Sequence, residues 1–395
     1  MATEKQSIIC EEYVKSTGLK CTCRVKITRA DGKRVCGRHV TNVKQEVKQE
    51  VKQEVKQEVK QEVKQEVKQE VKQEVKQEVL NVIDLFCGCG GFAKGLTDCG
   101  FNIIAGIDIW DKAVSNYKKN FNHPVICEDI RNLPPENFNL LYNSNNKKID
   151  LIVGGPPCQG FSIAGKRDNK DPRNSLFMEY VKYIDYFNPK GFIMENVIGI
   201  LSMKTEKNEK VIDIIMSQLG RNYNCIITKL YASDFEVPQN RRRVIVIGIR
   251  KDLNIIPTEP QTVTSIRIPV RNVLLDRSEI DTSYYLSSRA IAGINNKKQK
   301  SIENGTGFGA QYLDLNKPSY TIPARYWKDG YDALVKYSDT EIRRLTILEL
   351  KRIQSFPDEY ILEGTKKDII IQIGNAVACK FAYYLGKHII NILNQ

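Results

Sequence analysis

The sequence is poor in several features on which other classes of protein depend. It has only three histidines among 395 residues, which leaves little room for histidine-based catalysis. No apolar run reaches the ~18 residues of a membrane span, and the first residues lack the apolar stretch of a secretory signal. The 11 cysteines are odd in number and irregularly spaced, which argues against a disulfide framework. We expect a soluble intracellular protein with reduced thiols and no membrane partner.

Charge is present in excess of one sign, with a formal net charge of +13. Residues 1–42 carry 9 Lys and Arg against 4 Asp and Glu, residues 43–78 carry 9 of each, and residues 79–395 carry 42 against 34. Both segments outside 43–78 are therefore basic, as in proteins that bind nucleic acid. A generally lysine-rich composition would give the same balance, so charge alone does not decide.

Residues 43–78 are nine copies of Val-Lys-Gln-Glu. In a helix this repeat places Lys over Lys and Glu over Glu at i,i+4, and it offers no Lys–Glu pair at i,i+3 or i,i+4. The valines drift by about 40° per repeat around the helix and form no lasting apolar seam. We predict a solvated spacer, helical at most in part, with no chemical role.

The basic segment before this spacer contains a group of soft metal ligands. Cys21 and Cys23 are followed by Cys36 and His39, which is enough for a tetrahedral zinc site that could fold so small a segment. The alternative is a disordered basic tail with incidental thiols. The ending Cys-Gly-Arg-His resembles small modules of proteins from large DNA viruses, which favours zinc.

From residue 79 onward, short β-branched runs alternate with helical patterns. The runs that predict strands are 82–86, 103–107, 150–153, 192–194 and 244–249. This alternation predicts an α/β fold with a doubly wound, mostly parallel sheet. Residues 258–340 interrupt the rhythm, being rich in Asn, Ser, Tyr and Lys without a clear period. They predict a second, smaller and irregular unit, after which the helical pattern resumes beyond Ser338.

The first predicted strand leads into a glycine-rich turn, Asp-Leu-Phe-Cys-Gly-Cys-Gly-Gly-Phe at 84–92. Such a turn allows the backbone to approach a nucleotide closely. Asp108 closes the second strand about 20 residues later, where a ribose-binding carboxylate is expected. The pattern fits a nicotinamide, flavin or adenosyl cofactor equally well.

The most specific stretch is Gly-Gly-Pro-Pro-Cys-Gln-Gly-Phe-Ser at 154–162, directly after a predicted strand. Doubly wound folds bind ligands at the carboxyl ends of their parallel strands. The prolines and glycines around Cys158 leave little apolar surface against which it could be buried. Cys158 is therefore a candidate nucleophile.

Three charged residues could assist this thiol. Only a few per cent of an unperturbed cysteine is ionised at pH 7, so a cation or hydrogen-bond donor is needed. Arg241 and Arg243 precede the last predicted strand and are candidates for that role. Glu195 follows the predicted strand at 192–194, so it would face the same crevice as Cys158 and could serve as an acid–base group. If Glu195 stood alone, it would more often be a solvated surface acid.

Six motifs follow one another along the chain. They are Phe86-x-Gly88-x-Gly90, Pro157-Cys158-Gln159, Glu195-Asn196-Val197, Gln239-x-Arg241-x-Arg243, Arg344-Leu345-Thr346 through Arg352 to Pro357, and Gly374-Asn375-Ala376-Val377. In this order they resemble the cytosine carbon-5 DNA methyltransferases of the bacterial and viral modification-enzyme type. The resemblance covers about 79–257 and 320–395.

The resemblance implies an organisation for the chain. A Rossmann-like domain that uses S-adenosylmethionine would occupy 79–257 and be completed by 341–395, with a target-recognition region at 258–340. The substrate would be double-stranded DNA, and the enzyme a monomer in the cytoplasm or nucleus, or in a viral factory.

The resemblance also assigns catalytic roles. Carbon 5 of cytosine is too weak a nucleophile to accept a methyl group directly, so a thiolate first adds to carbon 6. Cys158 would be that thiol, and Glu195 would hydrogen-bond ring nitrogen 3. Arg243 would hold the carbonyl oxygen of the base, with Arg241 near the nucleophile and phosphate. The sequence names no residue for removal of the carbon-5 proton, which could pass to water.

A cofactor pocket is implied in the same way. Phe86, Gly88 and Gly90 would line the turn, Asp108 would bind the ribose hydroxyls and Ile109 would cover the adenine. The remaining pocket residues would be Asp129, which reads the adenine amino group, Ile130, Pro157, Leu176, Asn375 and Val377. Two departures concern donor affinity: Asp108 stands where Glu is more usual, and Ala378-Cys379 follow where prolines are common.

DNA contacts are implied around the target base, which must be rotated out of the duplex at a cost of a few kcal/mol. The loop after Cys158 would close over the flipped base. The predicted DNA-contacting residues are Gln159, Ser162, Lys166, Arg167, Gln239 and Arg325. The region 258–340 also supplies Arg267, Arg271, Tyr312, Tyr326 and Trp327, and its modest length suggests one short recognition sequence.

Three other functions are considered. Some members of the resembled family methylate a cytosine in tRNA with the same Cys and Glu, although a sizeable 258–340 region favours DNA. A non-catalytic DNA-binding relic is disfavoured by the complete set of catalytic residues. A nicotinamide dehydrogenase suits the glycine-rich turn, but its chemistry does not require Pro-Cys-Gln together with Glu-Asn-Val.

Overall fold

The computed structural model describes residues 79–143, 145–157, 176–205, 208–305 and 310–394, together with Lys20 and the two strands named next. The chain divides into the units Met1–Glu78 and Val79–Gln395. In the first unit, β1 (Ile27–Thr28) pairs antiparallel with β2 (Arg34–Val35). The Val-Lys-Gln-Glu repeat and the predicted zinc ligands Cys21, Cys23, Cys36 and His39 lie outside the described residues.

The second unit is built around a seven-stranded mixed sheet with the order β5-β4-β3-β6-β7-β9-β8. Its strands are β3 (Asn81–Leu85), β4 (Asn102–Asp108), β5 (Val125–Cys127), β6 (Leu151–Gly154), β7 (Gly191–Asn196), β8 (Tyr223–Tyr231) and β9 (Arg242–Arg250). The pairs from β5 to β7 are parallel, and β9 is antiparallel to both β7 and β8. The predicted doubly wound, mostly parallel α/β fold is confirmed.

All five predicted strands are present, each within two or three residues of the expected ends. Two strands of this seven-stranded sheet had not been predicted. The short β5 has only three residues, and the edge strand β8 mixes polar residues into an apolar run, so neither shows a clear apolar run in the sequence. Strands buried on both faces, such as β6, read as continuous apolar runs and were recognised for that reason.

Helices cover both faces of the sheet. On one face α1 (Gly91–Asp98), α2 (Asp111–Asn120) and the C-terminal helix Cys379–Leu393 share an apolar core. On the other face, α3 (Pro135–Tyr142), α4 (Leu176–Phe187) and α5 (Val211–Leu219) share a second core. Burial of helix faces against both sides of the sheet is the packing that defines a doubly wound fold.

Residues 258–340 consist largely of short 3-10 turns, but they also contain α6 (Ser288–Glu303), which had not been predicted. Ile291 and Ile294 are buried on one face of this helix, while many of its other residues are exposed Asn, Lys and Gln. Its apolar face is narrow, so the periodicity in the sequence is weak.

The helices α7 (Ile347–Ile353) and α8 (Lys366–Asn375) pack against the 258–340 region, where Ile322 and Tyr326 join their core. The following helix, α9 (Cys379–Leu393), packs instead on α1 beside the sheet. By length and composition the segment Lys366–Leu393 could cross a membrane, yet 67% of its apolar window is buried inside the protein, as in a core helix.

Candidate active site

Five elements converge at one edge of the sheet. The parallel strands β3, β4, β6 and β7 have their carboxyl ends there. Strand β9 runs antiparallel to β7 and therefore begins there, with Val244 of β9 paired to Asn196 of β7. The glycine-rich turn, Asp108, Glu195 and the Arg241–Arg243 segment therefore lie along the same edge. This edge is where ligands bind in doubly wound folds.

The glycine-rich turn after β3 has a left-handed backbone. Phe86, Gly88 and Gly90 have φ angles of 58°, 55° and 93°, which glycine adopts without the steric cost paid by Phe86. The Cys87 amide donates to the carbonyl of Ile107 at 3.0 Å, and a Cβ added to Gly91 would lie 2.1 Å from the Val377 carbonyl oxygen. The turn is thus held between β4 and the segment before α9.

Asp108, at the end of β4, connects this turn to the next helix. Its carboxylate accepts hydrogen bonds from the Gly88 and Trp110 amides, each at 2.8 Å. Burial raises the pKa of Asp108 above its ordinary value, and the backbone amides oppose that shift. The next residue, Ile109, is 65% exposed beside it. Each carboxylate oxygen keeps a lone pair, so Asp108 can still accept a hydroxyl.

Asp129 lies on the neighbouring strand end, since the Glu128 amide donates to the Asp108 carbonyl. Its carboxylate caps the turn Ile130–Asn132 and pairs with Arg131 at 2.5 Å, and the Arg131 hydrogen bonds lower its pKa. Ile130 is buried below it. Asp129 is therefore ionised and partly exposed. It lies at the strand end where the sequence predicts that the adenine binds.

The other predicted pocket residues occupy different depths. Asn375, the last residue of α8, is exposed, whereas Val377 is buried. Leu176 and Pro157 are half-buried at the two ends of the segment 158–175, which lies outside the described residues.

These residues fit a nucleoside-bearing cofactor. A Cβ added to Gly88 would meet nothing within 4 Å, so the turn borders open space. Asp108 can bind hydroxyls there, and Ile109 presents an apolar surface to a ring.

Below the turn, neither carboxyl oxygen of the buried Asp84 has a hydrogen-bond partner among the described residues. Burial raises the pKa of Asp84 well above its usual value.

Glu195 occupies the middle of the edge, at the end of β7. Its side chain is buried, and its Oε1 lies 2.7 Å from Nε of Arg243. A Cβ on Gly155 would lie 3.3 Å from Glu195 Oε2, and the side-chain Nδ2 of Asn196 donates to the Pro156 carbonyl at 2.9 Å. The chain leading to Cys158 therefore starts against Glu195. Cys158 itself, with Gln159, Ser162, Lys166 and Arg167, lies outside the described residues.

Arg241 is buried beside this pair. Its Nη1 donates to the Gly374 carbonyl at 3.1 Å, which links the start of β9 to the end of α8. Burial and the neighbouring Arg243 cation lower the pKa of Arg241, while Glu195 opposes them. The structure thus brings together Glu195, Arg241 and Arg243 as the sequence predicted.

The three residues retain unused hydrogen-bonding capacity. Arg241 Nε is buried and has no hydrogen-bond partner among the residues that the structure describes, while Glu195 Oε1 and Arg243 Nε form an ion pair at 2.7 Å and have no further partner there. Buried polar atoms without partners are rare in folded proteins and call for an explanation. Their grouping beside the loop that leads to Cys158 indicates a site that completes its hydrogen bonds with a substrate.

Gln239 has a different position from the one predicted for a DNA contact. It is fully buried, donates to Gln354 Oε1 at 2.7 Å and accepts from the Ile322 amide at 2.9 Å. Gln354 in turn donates to the carbonyls of Ile373 and Ala376. This burial argues against DNA contact, and the two glutamines instead hold together the segments that carry Arg241, Ile322 and Asn375.

Sequence reasoning gave no role to Gln354 or Asn196, although both stand inside the quoted motifs. Gln354 stands in the mixed stretch Lys351-Arg352-Ile353-Gln354-Ser355, which gives no local signal for a buried hydrogen-bond network.

Arg325 lies in the short turn Ala324–Trp327, which packs against the end of α8. A Cβ on Gly374 would lie 2.5 Å from the Ala324 nitrogen, so glycine is needed for this approach. The Arg325 side chain is half-exposed and pairs with Asp332 at 2.7 Å. Within the described ranges, no group of three or more His, Cys, Asp or Glu side chains could hold a metal ion.

Comparisons with known proteins concern the family of the chain. The model of a family described as C-5 cytosine-specific DNA methylase matches residues 80–391. The type II methyltransferase M.DdeI of Desulfomicrobium norvegicum is 46% identical over 176 residues, which are 44% of this chain and 41% of that protein. The type II methyltransferase M1.HphI of Haemophilus parahaemolyticus is 32% identical, over 79% of this chain and 87% of the relative.

Among solved structures, a candidate DNA modification methyltransferase encoded within an Escherichia coli prophage is 26% identical. It superposes with a TM-score of 0.62, over 80% of this chain and all of that one.

Proposed function

The chain belongs to the C-5 cytosine-specific DNA methylase family, and from this premise we propose the substrate and the residues of its reaction. The protein is a DNA (cytosine-5) methyltransferase of the restriction-modification type that uses S-adenosylmethionine. We propose that it acts, as an intracellular monomer, on a cytosine rotated out of duplex DNA within a short specific sequence. Cys158 forms the covalent adduct.

The proposal depends most on one observation. Glu195 is buried at a strand end, where its Oε1 pairs with Arg243 and its Oε2 lies beside Gly155, at the start of the chain that leads to Cys158. A buried carboxyl group in that state is suited to a partner that brings a ring nitrogen and an amino group. The edge of a cytosine offers both.

The donor pocket is proposed at the ends of β3, β4 and β5. The turn containing Gly88 would lie against the donor, Asp108 would accept the ribose hydroxyls, and Ile109 would cover one face of the adenine. Asp129 would accept from the adenine amino group. When bound, S-adenosylmethionine supplies an electrophilic methyl group on a sulfonium.

The catalytic residues then act on the cytosine ring. The Cys158 thiolate adds to carbon 6, while Glu195 hydrogen-bonds nitrogen 3 and accommodates the electron density pushed into the ring. Arg243 donates to the carbonyl oxygen of the base, where negative charge develops. Once carbon 5 bears the methyl group, its proton leaves to water and the electron pair expels the Cys158 thiolate, which restores the aromatic ring.

Arg241 is proposed as a positioning and electrostatic residue. Its buried guanidinium is fixed to the Gly374 carbonyl, so its charge is held beside Arg243 and near the start of the Cys158 loop. Cationic neighbours favour the thiolate over the thiol. Arg241 and Arg243 together thus support the ionised nucleophile.

The test is covalent trapping on DNA that contains 5-fluorocytosine, with bisulfite sequencing of a plasmid from an expressing host to find the methylated sequence. The wild-type protein should be trapped, because fluorine cannot leave as a proton does. The variant Cys158→Ser should neither methylate nor be trapped. Trapping of the serine variant would reject Cys158 as nucleophile, and activity on tRNA with none on duplex DNA would reject the substrate.

A further inference from the structure

Two arginines share one aromatic ring at the edge of the sheet. The guanidinium carbon of Arg242 lies 5.4 Å from the centre of the Tyr231 ring, and that of Arg267 lies 5.5 Å from it. Both arginine side chains are exposed, and Tyr231 is half-buried. We call Arg242, Arg267 and Tyr231 the arginine cluster.

The cluster lies on the same edge as Glu195. Tyr231, the last residue of β8, pairs with Arg242, the first residue of β9. Two residues further along β9, Val244 pairs with Asn196 of β7, next to Glu195. Adjacent strands are about 4.8 Å apart, so the cluster lies roughly 10 Å from the end of β7.

The cluster carries more positive than negative charge. Asp234 pairs with Nε of Arg267 at 2.7 Å, whereas Arg242 has no acidic partner within 4 Å in the described part of the chain. Cation–π contact with the Tyr231 ring restrains both guanidinium groups, and each guanidinium has five N–H donors, more than these contacts and Asp234 use. Such preorganised, exposed donors suit the oxygens of a phosphate, to which arginine can bind in a bidentate manner.

We propose that Arg242 and Arg267, held by Tyr231, bind backbone phosphates of the DNA next to the flipped cytosine. This inference rests on the proposed function, because it requires a duplex whose target base enters the crevice at Glu195. Duplex DNA carries one negative charge per about 1.7 Å of its axis, so backbone phosphates must pass close to an edge that holds the target base. The cluster contributes affinity without reading sequence.

The experiment measures the affinity of the full chain for a duplex containing the methylated sequence over a series of salt concentrations. The variants are Arg242→Ala, Arg267→Ala and the double variant. Each lost phosphate contact should reduce the slope of log affinity against log salt by about 1, and the double variant by about 2. The affinity for S-adenosylmethionine should remain that of the wild type.

Arg221→Ala is the matched control. Arg221 is also exposed, but it precedes β8 and so lies at the opposite edge of the sheet. Its removal deletes the same charge and should leave the slope unchanged. Arg242→Lys should largely preserve the slope, because it retains the charge. Equal melting temperatures of all variants would exclude unfolding as the cause of a changed slope.

Two results would overturn the proposal. The first is a slope for the double variant equal to that of the wild type and of Arg221→Ala. The second is an altered methylated sequence with an unchanged slope, which would make Arg267 a base-reading residue. Both are distinct from failure of the proposed function, in which the wild-type protein itself would not be trapped on duplex DNA.

Discussion

The hydroxyl group of Tyr360 donates a hydrogen bond of 2.5 Å to the backbone carbonyl of Cys89, which precedes it by 271 residues. The Tyr360 ring is buried and packs on Phe356, with ring centres 4.8 Å apart. Its own carbonyl accepts from the Lys351 ammonium at 2.6 Å. A segment far along the chain thus fixes the glycine-rich turn.

We expect Tyr360→Phe to weaken donor binding, because it removes only the hydroxyl and leaves a buried carbonyl without its donor. Such a loss costs about 1–3 kcal/mol, so the Kd and KM for S-adenosylmethionine should rise by roughly tenfold if the turn bears that cost. The KM for DNA and kcat at saturating donor should change little.

Tyr223→Phe is the control for this prediction. The buried Tyr223 hydroxyl also donates to a backbone carbonyl, that of Pro189 at 3.0 Å, but at the opposite edge of the sheet. An equal rise in donor KM for both variants would mean that Tyr360 acts through general stability alone.

Glu195→Gln should reduce kcat by a factor on the order of 100 or more, which is the usual effect of losing an acid–base group. The amide keeps the shape of the side chain but cannot donate from an acidic hydroxyl or pair with Arg243 as an anion. Single-turnover methylation measures the effect, with Glu303→Gln at the exposed end of α6 as control. Near-normal turnover would remove Glu195 from the mechanism.

The positions of Glu195, Arg241 and Arg243 could be predicted because each depends on a local feature, the end of an apolar strand. The hydrogen bonds of Tyr360 to Cys89 and of Gln239 to Gln354 could not, because they join segments more than 100 residues apart. Their existence depends on how α7 and α8 pack, which a single sequence does not specify.

The antiparallel direction of β9 was also not predicted, because the signal for it depends on β8, which the sequence does not mark as a strand. A parallel connection needs a crossover of a dozen or more residues, usually a helix. Only ten residues, 232–241, separate β8 from β9, so the two strands must run in opposite directions. The apolar run at 244–249 marks a buried strand but not its direction.

Replacing one partner of the Arg343–Glu349 pair should strongly destabilise the protein. Both side chains are fully buried, and the two guanidinium nitrogens lie 2.8 Å from the two carboxylate oxygens. Removal of one partner leaves a buried charge uncompensated, at a cost of about 3–5 kcal/mol. We expect Arg343→Met to lower the midpoint of urea unfolding accordingly.

The exposed pair Arg277–Glu341 is the comparison, since surface ion pairs contribute about 0–1 kcal/mol. Arg277→Met should therefore unfold close to the wild-type midpoint. Similar midpoints for Arg343→Met and Arg277→Met would show that the buried pair does not stabilise the packing of α7 against residues 258–340.

A protein that begins at Val79 should fold and methylate the same sequence, because the chain divides at Glu78 and Val79 and the catalytic motifs follow that point. Its DNA affinity should fall, since residues 1–42 carry a net charge of +5. Inactivity of a folded 79–395 protein would place part of the active site in the N-terminal segment.

The predicted zinc site is tested by metal analysis of the intact chain and of the variant Cys36→Ser. We expect one zinc ion per molecule of the intact chain and loss of that zinc from the variant.

Sequence specificity is predicted to depend on residues 258–340, and Arg325 is the sharpest point at which to test this. Arg325 is half-exposed on a turn that packs against Gly374 near Arg241, which places it close to the site of the flipped base. If it reads a base, Arg325→Ala should cost about 1–3 kcal/mol and admit a second base at one position of the methylated sequence. Genome-wide mapping of methylated cytosines measures this, with the exposed Arg289→Ala of α6 as control. Uniform weakening at all sites together with a smaller salt slope would instead assign Arg325 to phosphate binding, and unchanged specificity and slope would remove it from the DNA interface.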